Sequence, residues 1–88
     1  MQINHDKEEQ RVWIREGDHT AYVEYILREG SLDILHTVVP APLEGQGIAS
    51  QLVKFAYDYA LQQGWTPAAN CSYAKVWLQR HPEYLKKG

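Results

Sequence analysis

The sequence is poor in several residues and features, and each shortage excludes something. It has one cysteine, one methionine and one phenylalanine in 88 residues. A lone Cys71 rules out an internal disulfide framework and a cysteine-rich zinc site. The four histidines show no paired metal-ligand spacing, so no metal is expected. No apolar run approaches the ~20 residues that span a bilayer, so no membrane partner is expected. The first residues hold no apolar segment of the kind that opens a secretory signal, and the expectation is a reduced, cytoplasmic compartment. A positive balance is lacking too: the net charge is −2. Phosphate-backbone binding wants a basic stripe, which argues against nucleic acid as a main partner.

What is present is ordinary for a small folded protein. Hydrophobic residues make up 44% and charged residues 23%. At this length the expectation is one domain over 1–88, burying roughly 64% of its unfolded surface.

The pattern changes once along the chain. Asp6 to Arg11 is charge-rich and reads as a solvated lead-in. Val12 and Ile14 then alternate with Arg11, Trp13 and Arg15, and Glu16-Gly17-Asp18 marks a turn. Ala21, Val23, Tyr25 and Leu27 alternate with Tyr22, Glu24, Ile26 and Arg28. Arg28-Glu29-Gly30-Ser31 suits a hairpin turn. Leu32 to Val39 is apolar on both faces, as a central strand would be. These three strands should form an antiparallel meander.

From Gly47 the period becomes 3.6. Ile48, Leu52, Phe55, Ala56 and Tyr59 make a stripe, with Ser50, Lys54, Asp58 and Gln62 opposite, and the helix should run to Gln63. Gly64 follows where a left-handed residue is wanted. Trp65 to Asn70 reads as a fourth strand parallel to the third, with Pro67 marking an edge. Ser72 to Gln79 reads as a second helix capped by Ser72 or Asn70 and stopped at His81-Pro82.

The segment Val38 to Ala49 joins a buried strand to a helix start. Gly45 and Gly47 leave the backbone bare there. Free N–H groups and the positive end of a helix dipole bind phosphate without a basic side chain. The glycines also have a plain reading as turn and cap residues. A P-loop needs Gly-Lys-Ser/Thr, which Gly47-Ile48-Ala49 lacks. A dinucleotide fold needs a third small residue, a distal carboxylate and a longer chain. Glu44-Gly45-Gln46-Gly47-Ile48-Ala49 fits the acyl-CoA loop Arg/Gln-x-x-Gly-x-Gly/Ala at all but its first position.

With Ala21-x-x-x-Tyr25, His36-Thr37-x-Val39-Pro40, Gly45-x-Gly47-Ile48-Ala49-Ser50, Cys71-x-Tyr73 and His81-Pro82-x-Tyr84, the chain resembles the YjdJ-type minimal GNAT domain of the N-acetyltransferase superfamily. The resemblance covers about Val12 to Tyr84. It implies an α+β, GNAT-like fold: a curved, mostly antiparallel sheet in the order β-β-β-α-β-α, with a phosphate-binding helix after the third strand. It implies acetyl-CoA (or coenzyme A) as co-substrate and an amine acceptor, a protein lysine among the candidates. Gly45, Gln46, Gly47, Ile48, Ala49 and Ser50 would hold the pyrophosphate beside Glu44. Thr37, Val38 and Val39 would pair with the pantetheine arm, and Tyr73 would flank it. Cys71 and His36 are implied as the reactive pair.

The chain departs from the family at Glu44, usually basic, and at Ala69, usually proline. A carboxylate beside a pyrophosphate is repulsive by about 1 kcal/mol at 4 Å in water. Cys71 also has a plain reading as a small buried hydrophobe. At a helix start it would instead be a nucleophile with a lowered pKa. His36 reads either as a hydrogen-bonded strand residue or as a base. Tyr84 is core or pocket wall. The rival functions are an acyl-CoA-binding module without catalysis and a protein-interaction domain on the same fold.

Overall fold

The computed structural model describes residues 2–85. A five-stranded sheet runs in sequence order: β1 (Asn4–Asp6), β2 (Arg11–Glu16), β3 (His19–Arg28), β4 (Ser31–Val38) and β5 (Thr66–Ala69). The first four strands are antiparallel neighbours, and β5 is parallel to β4. Helix α1 (Ile48–Gln62) connects β4 to β5, and α2 (Ser72–Arg80) follows β5. Short 3-10 turns cover Ala41–Leu43 and Pro82–Leu85. The α+β fold, the meander and the parallel last strand are those expected.

Part of the expected solvated lead-in is instead strand. Asn4–Asp6 pairs with Trp13–Arg11 of β2. Three residues are too few to leave a period-two signal. The strand is held by its ladder and by His5. His5 Nε2 lies 2.7 Å from the Tyr25 hydroxyl. Its ring meets Tyr59 and Phe55 edge to face, with centroids 4.6 and 5.6 Å away.

The core face of the sheet presents Val12, Ile14, Ala21, Val23, Leu32 and Ile34, all fully buried. Against them α1 lays Ile48, Leu52, Val53, Ala56, Tyr57 and Ala60. This stripe is wider than the expected one and rotated from it, because α1 is covered twice. The sheet takes one side. The other takes α2, where Tyr57 meets Trp77 at 5.8 Å between ring centroids. So the face expected to be open carries buried contacts. Ser50 accepts from the Trp77 indole, and Asp58 accepts from the Tyr84 hydroxyl at 2.6 Å.

The turn between β3 and β4 places Glu29 at φ +48° and Gly30 at φ +79°, the paired left-handed geometry of a tight hairpin. Within β4, Ile34 faces Tyr25 and His36 faces Glu24, so Leu35 has no partner across the ladder. Such a bulge bends its strand and changes which face later residues occupy.

Candidate functional site

The site is made where β4 outlasts β5. The two strands pair only from Ser31↔Thr66 to Ile34↔Ala69. One further bond, Asn70 N–H to the Ile34 carbonyl at 2.9 Å, ends the contact. Beyond it β4 runs on to Val38 with β3 as its neighbour, and its other edge has no strand partner among the described residues. An open edge of this kind offers backbone donors and acceptors to an extended ligand.

Above that edge the chain turns back through Pro40 and the Ala41–Leu43 turn into α1. Leu43 N–H bonds Pro40, and Glu44 N–H bonds Ala41. From there the pairing stops. The amides of Gly45 to Ser50 form no hydrogen bond with another described residue; the next donor to do so is Gln51 N–H, to Gly47. Gly45 and Gly47 hold φ +80° and +73°, which turns this run into α1. Gly47 is the N-cap residue and supplies no side-chain cap. The α1 start therefore has orphan donors and the positive end of its dipole in one place.

A cleft of about 420 Å³ opens on this run. Thr37, Val39, Glu44, Gly45, Gly47, Ile48, Ala49, Ser50 and Tyr73 line it, as does Leu43, which sequence reasoning passed over. A single leucine in a proline-rich loop carries no pattern; it shows only when the 3-10 turn buries it. Val38 and Gln46 are exposed and do not line the cleft. Among described residues no group of three or more His, Cys, Asp or Glu is placed to hold a metal.

Cys71 lies one side chain behind the cleft wall. Its Sγ is 3.4 Å from Thr37 Oγ1 and accepts from Ala74 N–H at 3.3 Å. Thus Cys71 is the N-cap of α2, in place of Ser72 or Asn70. Sulfur is a weak acceptor, so the sequence rules for caps miss it. Asn70 holds the junction: its Nδ2 donates to the buried Asp33 carboxylate at 2.6 Å. The Tyr57 phenol donates to the Ala68 carbonyl at 2.6 Å. Burial raises the Tyr57 pKa first, and the negative potential of Cys71 and Asp33 adds to the shift.

His36 does not join this group. It faces Glu24 across the ladder, on the surface that carries the Arg11–Glu24 ion pair, and it is exposed. Thr37 faces the fully buried Val23, and so lies on the core side with Cys71. The structure brings Cys71 to Thr37 and leaves His36 on the other face. The bulge at Leu35 is the cause, since unbroken alternation from Ile34 would send His36 inward.

Known proteins share this fold. The family described as GCN5-related N-acetyltransferase matches residues 10–87. The chain belongs to that family. Protein NATD1 of Xenopus tropicalis is 28% identical across 99% of this chain and 84% of its own. Protein NATD1 of Gallus gallus is 29% identical across 98% and 83%. The solution structure of a GCN5-like candidate N-acetyltransferase from Staphylococcus aureus superposes with a TM-score of 0.74 at 27% identity. It covers 94% of this chain and 82% of that one. Family and fold thus make this chain an acetyltransferase-like domain, and the family's general co-substrate is acetyl-CoA. The cleft suits such a group: it combines unpaired N–H donors for phosphate with an open strand edge for an amide-bearing arm.

Proposed function

We propose that this protein binds acetyl-CoA in the loop cleft and transfers the acetyl group to an amine. The observation that carries the reading is the unbroken run of amides from Gly45 to Ser50 without a partner among the described residues, set beside the open edge of β4. The amides and the α1 dipole would take the pyrophosphate. The Thr37–Val39 edge would pair with the pantetheine arm, and Tyr73 would flank it. Glu44 opposes the phosphates and sets an upper limit on affinity.

In the transfer, the amine lone pair attacks the thioester carbonyl carbon. The carbon–sulfur bond breaks, its electron pair stays on the coenzyme sulfur, and the amine loses a proton to a base in solution. A β4 N–H would stabilise the oxyanion. So small a chain encloses little, which favours an exposed acceptor such as a protein lysine. Work in the reducing cytoplasm would keep Cys71 a thiol.

A relay through Cys71 is a second reading, favoured by the thiol's place against Thr37. There the Cys71 sulfur attacks the thioester carbon as the coenzyme carbon–sulfur bond breaks, the thiol proton passing to the coenzyme sulfur. The amine then attacks the acetyl-Cys71 thioester, and its proton returns to the Cys71 sulfur as that bond breaks. Its close neighbour would be Thr37 rather than His36. Cys71→Ala separates the two routes: direct transfer keeps turnover, and the relay loses it.

Calorimetric titration with acetyl-CoA, and with coenzyme A separately, tests the common step. Micromolar binding is expected, with stability raised by roughly 2.7 kcal/mol at a hundredfold excess over Kd. Release of coenzyme thiol with an added lysine peptide then reads the transfer. Failure to bind at millimolar ligand would overturn the reading and leave an interaction domain on a shared fold.

A further inference from the structure

A serine hydroxyl has one proton to donate and two lone pairs to accept with. Ser50, the third residue of α1, lines the cleft. In a first helical turn such a hydroxyl can turn back on its own backbone and spend its proton there. Here it is held otherwise. The Trp77 indole Nε1–H donates to Ser50 Oγ at 3.0 Å. An indole N–H cannot accept, so the Ser50 proton must find another partner.

Trp77 is in turn fixed from several sides. It is 4% exposed. His81 stacks on it at 3.8 Å between centroids, and His81 Nδ1 lies 2.8 Å from the Trp77 carbonyl oxygen. Tyr84 meets it edge to face at 4.9 Å, and Tyr57 closes the α1 side. The indole therefore has little freedom to follow Ser50, and Ser50 must come to it.

We infer that Trp77 is a positioning residue for the anion-binding loop: by occupying a lone pair of Ser50 it leaves the Ser50 hydroxyl proton free for a ligand phosphate in the cleft. The ligand rests on the coenzyme reading above. The geometry adds one side-chain donor to the backbone run and ties that donor to α2, the helix that also supplies Tyr73 and is capped by Cys71. When the phosphate accepts from Ser50, the polarised oxygen becomes a stronger acceptor for the indole.

The test uses the full chain labelled with nitrogen-15. It has three indole N–H signals, one for each tryptophan. Ser50→Ala identifies the Trp77 signal, because only that indole loses its acceptor. Coenzyme A added to the wild-type chain is expected to move the Trp77 signal and leave those of Trp13 and Trp65 in place. In affinity, Ser50→Ala and Trp77→Phe should each weaken coenzyme A by about threefold to tenfold, the worth of one hydrogen bond. The double variant should be no weaker than the weaker single one. A still Trp77 signal while the Gly45–Ser50 amides move would overturn the inference, as would additive losses. The spectral arm needs no change at Trp77, so it stands if Trp77→Phe does not fold. Pyrophosphate is titrated in parallel. Binding of pyrophosphate without coenzyme A would overturn the coenzyme reading alone, and the indole shift would still decide the role of Trp77. Binding of neither would overturn both.

Discussion

The two ends of this sheet treat polar groups in opposite ways. At the β1 end, His5 has the Tyr25 hydroxyl at 2.7 Å and is ringed by Tyr59 and Phe55. Arg11 Nη2 is paired with Glu24 at 2.9 Å and the guanidinium lies 4.3 Å from the Tyr22 ring centroid, with Nε alone left buried and unpartnered among the described residues. At the far end of β4, among the described residues, consecutive amides have no partner and the strand edge is open. Buried or half-buried polar groups that find partners make structure. Donors left in a row at a helix start are groups waiting for a ligand.

That contrast can be broken or sharpened in several ways, beginning with the largest effect. Ile14→Ala opens a cavity in the fully buried β2 core. It should cost about 2–5 kcal/mol of stability. That is about 4–8 °C of melting temperature per kcal/mol, read by calorimetry. Coenzyme affinity of the folded fraction should not change.

Gly47→Val acts at the other end. No neighbour lies within 4 Å of a Cβ added there, so the change is one of backbone strain at φ +73°. It should cost about 1–2 kcal/mol. Relief of the strain by leaving the left-handed conformation would break the amide run. A loss of about tenfold in coenzyme A affinity is expected, far out of proportion to its effect on core packing.

Glu44→Arg exchanges repulsion for attraction beside the phosphates, about 1 kcal/mol lost and about 1 kcal/mol gained, and should strengthen coenzyme A binding by about thirtyfold. The gain should shrink in high salt, where such charges are screened. A gain that is unchanged by salt would show that Glu44 acts by shape rather than charge.

The smallest effect belongs to His5. Burial first, and then Lys7, lower its pKa from 6.5, against a smaller opposing pull from Asp6. The folded state thus prefers the neutral ring. Its contribution is present above pH 6.5 and is lost as pH falls through the lowered folded value. Acidification from pH 7 to 5 should lower the melting temperature of the wild type more than that of His5→Gln. Coenzyme affinity at pH 7 should be the same in both.

Much of this was legible in the residues. The switch from period two to period 3.6 at Gly47 marked the sheet, the helix and the loop between them. Gly45 and Gly47 marked the bare backbone of that loop, though not its left-handed conformation. The positions that escaped did so for local reasons. Asn4–Asp6 is too short to show a period. Ser50 and Asp58 look exposed on a helical wheel, and only α2 folding back makes them partners of Trp77 and Tyr84. Cys71 caps a helix through sulfur, which no cap pattern anticipates. The family resemblance implied His36 as a partner for Cys71, and unbroken alternation from Leu32 and Ile34 would point it inward. One unpaired residue, Leu35, reverses that and presents Thr37 instead.

The most direct measurement is a titration of the labelled protein with acetyl-CoA, following every backbone amide. The account predicts that the amides of Gly45 to Ser50 and of the β4 edge at Thr37 to Val39 move together and saturate at micromolar ligand. Those of Asn4–Asp6 and of the Trp13 region should stay still. Movement centred on β1 and β2, or none at millimolar acetyl-CoA, would contradict it.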